Sequence, residues 1–109
     1  MTINETFEDM LKSFKPAKAA GINKTLQWNI TGDKLERWAI SIREQSCELI
    51  QGGVEKPDIV FQANEKDWLS ISSGTLDPTM AFMTGKVKIV GDMSLAIKIP
   101  GLFPTQRRS

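Results

Sequence analysis

Between Gly74 and Phe103 the chain reads GTLDPTMAFMTGKVKIVGDMSLAIKIPGLF, two short apolar helical runs, each opened by an acidic residue, with a short strand between them. Phe82 and Met83 are adjacent, and Leu95, Ala96 and Ile97 are consecutive, so both runs are apolar around much of their circumference. A helix of that kind has to be covered on more than one side. Either the rest of the domain supplies both covers, or a partner chain or an apolar ligand supplies one. Trp68, Met80, Phe82, Met83, Met93, Leu95, Ile97, Leu102 and Phe103 each suit an ordinary core when taken singly; as a group they exceed what one sheet needs. Methionine also fits adaptable cavities better than rigid packing.

The remaining segments predict what those helices lean on. Thr2 and Glu5 have capping-box spacing. Ile3, Phe7, Met10, Leu11 and Phe14 then fall on one face of a helix that Pro16 stops at the residue before it. Lys15 to Gly21 reads as a loop. Ile22, Leu26, Trp28 and Ile30 alternate with polar neighbours, Gly32-Asp33-Lys34 is a turn, and Trp38, Ile40 and Ile42 repeat the alternation, which together predict an antiparallel hairpin. Cys47 and Leu49 continue it in a third strand; Ile59, Phe61 and Ala63 form a fourth after the loop marked by Gly52-Gly53 and Pro57. Asn64 is placed as the N-cap of a helix to Ser72 or Ser73, with Trp68, Leu69 and Ile71 inward. Asp77-Pro78 starts the next helix and Gly85 closes it. Lys86 to Val90 is a strand with Val87 and Ile89 on one side, and the last helix runs from Met93 to Ile99, ended by Pro100 and Gly101. The expected architecture is α+β, a mainly antiparallel sheet with helices on one face.

Polar chemistry is sparse. The 109 residues contain no histidine and no tyrosine, which removes the commonest general base and zinc ligand. Cys47 lies in a strand pattern with no histidine to activate it, and Asp33, Glu36, Glu44 and Glu48 occupy the solvated phases of the hairpin. Gly85-Lys86 fails as a phosphate loop, because Met80 and Val87 stand where the motif needs Gly and Ser or Thr. No catalytic residue, metal site or cofactor is expected, and the chain is not read as an enzyme. A net charge of +1 with 25% charged residues gives no nucleic-acid footprint. One cysteine, no membrane-length apolar run and a polar N-terminus point to a soluble cytoplasmic domain. Residues 105–109 read as a frayed tail.

The run PDIVFQANEKDWLSISSGTLDPTMAFMTGKVKIVGDMSLAIKIPGLF, Pro57 to Phe103, resembles the signature of the sterol carrier protein type two family. The matching positions are Pro57-Asp58, Asp67-Trp68, Ser73-Gly74, Leu76, Pro78, Ala81-Phe82-Met83, Gly85-Lys86, Lys88-Ile89, Gly91-Asp92-Met93, Leu95-Ala96 and Leu102-Phe103. Pro16-Ala17-Lys18-Ala19-Ala20-Gly21-Ile22-Asn23 and Ile30-Thr31-Gly32 are similar too, so the resemblance is colinear over nearly the whole chain. It implies a five-stranded, mainly antiparallel sheet with helices on one face, and between them an apolar tunnel that carries a fatty acid, fatty acyl-CoA, phospholipid or sterol without a cofactor. The departures are an Arg107-Arg108-Ser109 ending in place of a peroxisomal tripeptide, no thiolase or dehydrogenase part, and Pro100-Gly101 interrupting the last helix, which should shorten or re-angle a lid there.

The expectation is therefore one domain, 1–109, that binds and transfers an intracellular lipid. Its expected wall is Trp38, Ile40, Phe61, Trp68, Leu69, Met80, Phe82, Met83, Ile89, Met93, Leu95, Ile97, Leu102 and Phe103, with Lys15, Lys18 or Lys24 meeting a charged head group. Transient contact with a membrane surface is allowed for, and oligomeric state stays open. The competing reading is a non-catalytic interaction or dimerisation domain using the same apolar helices.

Overall fold

A computed structural model describes residues 2–104; the 105–109 tail lies outside the described residues. Helix α1 (Ile3–Ser13) opens on the capping box: the Glu5 amide donates to Thr2 Oγ1 at 3.1 Å and the Thr2 amide donates to Glu5 Oε1 at 2.8 Å. The helix ends two residues earlier than Pro16 suggests. Lys15, the residue before the proline, is extended (φ −108°, ψ 97°), as proline sterics require, so the chain leaves the helix at Phe14. The expected loop that follows contains a 3-10 turn, Pro16–Ala19. Its proline supplies the helical φ at the first position, and Ala19 is fully buried.

Strands β1 (Lys24–Thr31), β2 (Glu36–Arg43), β3 (Ser46–Gln51), β4 (Ile59–Asn64) and β5 (Val87–Gly91) form one five-stranded sheet in the order β3-β2-β1-β4-β5. Three of its four pairings are antiparallel; β1 and β4 are parallel. Cross-strand partners Leu26–Ile40, Trp28–Trp38, Leu26–Ile59, Trp28–Phe61 and Phe61–Ile89 put the predicted inward residues on a single face, as the two-residue period demands. Ile22 lies just ahead of β1 and is half-buried.

The parallel pair arises because the chain must pass from edge strand β3 behind β2 and β1 to reach β4. This crossover is tied down by Gln27, whose Oε1 accepts from the Val54 amide at 2.8 Å on the reverse face. Gly53 is required there. Its φ is +80°, and a Cβ would stand 2.7 Å from Gln27 Oε1 and 3.1 Å from the Arg37 Cβ. Thr25, Gln27 and Ala39 are consequently buried on the side that a simple two-layer fold would leave wet.

On the inward face, helices α1 and α2 (Glu65–Ser73) pack against each other, α1 also reaching β3 and α2 reaching β1 and β4. The Phe7 ring stacks on Trp38 and Trp68 at 5.5 and 5.0 Å and tilts against Trp28 at 5.4 Å. Trp68 Nε1 donates to Thr6 Oγ1 at 2.8 Å, and Thr6 Oγ1 donates to the Ile3 carbonyl at 2.6 Å, so the buried polar atoms of this helix–helix contact are paired. Helix α3 (Pro78–Met83) is capped by Asp77, which accepts from the Met80 amide at 3.0 Å.

Helix α4 begins at Met93 but does not end at Ile99; it runs Met93–Leu102, through Pro100. Proline forfeits one hydrogen bond and clashes with the carbonyl a turn earlier. The helix nevertheless resumes, with the Phe103 amide donating to the Ile99 carbonyl at 2.8 Å. Burial outweighs the defect: Leu102 and Phe103 are both almost fully buried, Phe14 packs on Phe103 at 5.4 Å, and the Leu102 carbonyl accepts from the Lys15 amide at 2.9 Å. Helix α4 is therefore longer, not shorter, than its proline implies.

Candidate functional site

The β4–β5 side of the inward face is not filled by side chains from the domain. Helix α3 packs on α2 and β5, whereas α4 packs on the 3-10 turn and β4. Between them and α1 lies a cavity of about 1080 Å³. Trp28, Phe61, Ala63, Val87 and Ile89 form its floor; Trp68 and Ile71 of α2, Phe82 of α3 and Met10 of α1 line it as well. Met93, Ala96, Ile97, Ile99, Pro100 and Phe103 close the α4 side.

This arrangement explains why α4 is apolar around much of its circumference. Leu95 and Leu102, seven residues apart, are buried in the core. Met93, Ala96, Ile97 and Pro100, spaced three, one and three apart, face the cavity. One stripe is covered by the domain, and the other fronts a space large enough for a ligand. Ligand sites typically enclose about 300–1,000 Å³, so this one, at about 1080 Å³, lies just above that range.

Seven of the fourteen expected wall residues line the cavity: Phe61, Trp68, Phe82, Ile89, Met93, Ile97 and Phe103. Trp38, Ile40, Leu95 and Leu102 are buried in the protein core behind it. Leu69 is half-buried on α2 and off the cavity. Met80 and Met83 also lie off it and are 53% and 72% exposed. Phe82 and Met83, equivalent by composition, are thus separated by the roughly 100° between neighbours on a helix.

The three lysines proposed for a head group are not at the cavity. Lys24 instead lies 3.7 Å from Asp92, Lys15 is bound through its backbone to Leu102, and Lys18 is exposed on the 3-10 turn. The basic residue that does line the cavity is Lys12, together with Asp9, Ser13, Ser72, Ser73 and Thr79. Nothing in the α1 pattern distinguishes Lys12 from any other solvated helix position, so periodicity could not have found it.

Elsewhere the chemistry is structural. Burial raises the Cys47 thiol above its ordinary value, the opposite of what activates a nucleophile. Asp92 caps α4, accepting from Ser94 Oγ at 2.6 Å and from the Ser94 and Leu95 amides. The Ser94 hydroxyl above all, helped by the Leu95 amide, Lys24 and the Ser94 amide, holds its carboxyl below the ordinary value against the opposing effect of burial. Gly91 makes the preceding corner: at φ +119° a Cβ would meet the Asp58 carbonyl oxygen at 2.5 Å. Among the described residues no cluster of three or more His, Cys, Asp or Glu could hold a metal ion, and no helix is long and apolar enough to cross a membrane.

Residues 3–104 match the model of the SCP-2 sterol transfer family. The chain belongs to that family. It is 30% identical over 98 residues to hydroxysteroid dehydrogenase-like protein 2 of Xenopus laevis, covering 89% of this chain and 24% of the relative. The chain thus spans about a quarter of the length of the curated relatives it matches. Among solved structures, palmitated SCP2L2 from Aedes aegypti matches with a TM-score of 0.78 and 24% identity, covering all of both chains. The sec-alkylsulfatase Pisa1 from Pseudomonas sp. matches with a TM-score of 0.80 and 23% identity, over 98% of this chain but 17% of that one. The fold is therefore shared with one neighbour over that chain's whole length and with 17% of the length of another. Membership associates the chain with lipid binding and transfer in general.

Proposed function

We propose that this SCP-2 domain carries a lipid with one long acyl chain, a fatty acid or fatty acyl-CoA before a phospholipid or sterol, in the cavity between α4, α3 and the sheet. The observation that carries the reading is the cavity itself: about 1080 Å³, walled mainly by apolar side chains, against a helix whose cavity-facing stripe has no other cover. The palmitated state of the mosquito neighbour, which shares the fold over its full length, supports a ligand of this class.

In this reading Phe61, Trp68, Phe82, Ile89, Met93, Ile97 and Phe103 touch the chain, while Trp38, Ile40, Leu95 and Leu102 support them from behind. Burying roughly fourteen methylenes at about 0.8 kcal/mol each gains on the order of 11 kcal/mol gross. Ordering costs of several kcal/mol bring this to about micromolar affinity or tighter. Lys12, exposed and close in sequence to Asp9, would add at most about 1 kcal/mol for an anionic head group. Chain burial therefore dominates and head-group selectivity is loose. The domain works by enclosing its cargo, with no bond made or broken and no cofactor.

Native mass spectrometry of freshly purified chain, before and after delipidation, tests the proposal. The expected result is one co-purifying lipid per chain, lost on delipidation and replaced on adding palmitate. A chain that carries no lipid and takes up no palmitate overturns it.

A further inference from the structure

We propose that α4 presents a hydrogen-bond acceptor to the cavity, the backbone carbonyl of Ala96, and that the cargo it selects is an acyl chain bearing a hydroxyl; the inference rests on the lipid-carrier reading above. Pro100 lies inside α4 and has no amide hydrogen, so the Ala96 carbonyl, four residues earlier, has no α-helical donor. The neighbouring amides do not take its place. In α-helical register the Ile99 amide serves Leu95 and the Gly101 amide serves Ile97. That register holds beyond the proline, where the Phe103 amide donates to the Ile99 carbonyl at 2.8 Å. Among the described residues, side-chain hydrogen bonds of α4 are confined to Asp92 and Ser94 at its start, and no amide from another element reaches Ala96.

Ala96 and Pro100, the two ends of the missing bond, both line the cavity beside Met93 and Ile97, so the bond is missing on the cavity side of the helix. The proline ring pushes the carbonyl a turn earlier away from the helix axis. Ala96 is half-buried and carries only a methyl, which leaves that oxygen uncovered. The hydroxyl, carboxylate and ammonium side chains at the cavity all belong to α1, α2 and α3, so α4 offers polarity there through its backbone alone. A carbonyl accepts and cannot donate. Water serves such an oxygen in an open site, but a plain hydrocarbon laid along this wall displaces the water and strands the acceptor. A hydroxyl on the chain opposite Ala96 restores the bond. Carboxylate, ester and ether oxygens accept only and gain nothing here, and an ammonium adds the cost of burying a charge against an apolar wall.

The test is displacement of a fluorescent fatty acid by palmitate, by hexadecanol and by monohydroxypalmitates with the hydroxyl moved along the chain, on wild type and on Pro100→Ala. The variant regains an amide for Ala96 and a better helix former, so it should fold at least as well as wild type. At a matching hydroxyl position, the affinity of the hydroxylated chain relative to palmitate should fall about tenfold or more from wild type to Pro100→Ala. Ile97→Val changes the same wall without supplying an amide and should move that ratio by less than about threefold. In wild type the carbonyl carbon resonance of Ala96 should move further with the hydroxylated chain than with palmitate, and in Pro100→Ala this difference should vanish. A ratio that Pro100→Ala leaves unchanged at every hydroxyl position, with palmitate still bound, overturns the inference and leaves the lipid-carrier reading standing. Coupling to Pro100 shown by hexadecanol and by no hydroxylated acid overturns the chain hydroxyl in favour of a head-group hydroxyl. A chain that takes up none of these ligands removes the lipid-carrier reading and the inference with it.

Discussion

Phe82→Glu separates a cavity wall from a merely apolar helix. Phe82 is 43% exposed, so somewhat more than half of its side chain is covered in the domain. At 1.5–3 kcal/mol for full burial of such a side chain, its removal costs the ligand-free fold about 1–1.5 kcal/mol, and the chain should stay folded. The bound state loses more. A ring lying along an acyl chain covers about two methylenes, worth roughly 1.6 kcal/mol, and a carboxylate facing the same chain adds about 1 kcal/mol or more in lost hydration. Together these predict a Kd raised about a hundredfold, since each 1.4 kcal/mol is tenfold. Titration with a fluorescent fatty acid reads this directly. Circular dichroism and the fluorescence of Trp28, Trp38 and Trp68 report whether the core is intact. A folded Phe82→Glu chain that binds within about threefold of wild type would refute the placement of the acyl chain against α3.

Two other perturbations probe how the site is held. Thr6→Val removes the acceptor for Trp68 Nε1 and should cost about 1–3 kcal/mol by stranding a buried donor; an unchanged urea midpoint would show that the pair contributes nothing. Asp92→Asn tests the depressed carboxyl at the start of α4. A lowered folded pKa means the folded state binds that proton less readily than the unfolded one. The stabilisation is therefore complete above the ordinary aspartate value and is lost as pH falls through the folded value. The wild type should lose thermal stability over that acid range, and the asparagine variant should lose less; identical pH profiles would contradict the assignment.

Local chemistry was legible where the chain interacts with itself over a few residues. The capping box at Thr2 and Glu5, the caps at Asn64 and Asp77, and the alternation through Leu26, Trp28, Ile30, Trp38, Ile40 and Ile42 all depend on near neighbours, and each appears as expected. The end of α4 was not legible. Pro100 is a stop signal in sequence, and only the burial of Leu102 and Phe103 against Phe14, some ninety residues away in the chain, carries the helix past it. The parallel pairing of β1 with β4 was equally hidden, because it is set by a crossover whose anchor, Gln27, looks like any polar strand residue.

The sequence by itself determined that more apolar surface exists than one sheet can cover, and that it is concentrated on the two last helices. Periodicity can show that a side chain points inward but not whether protein atoms fill the space it points into. Tertiary structure decided that: Ile40, Leu95 and Leu102 meet packed neighbours, Phe61, Ile89 and Ala96 meet the cavity, and Met80 and Met83 meet solvent. It also moved the cation at the cavity from Lys15, Lys18 and Lys24 to Lys12. Which cation lines the cavity depends on where a helix lies over it, and that follows from how α1 packs on α2 and β3, which no window of sequence contains.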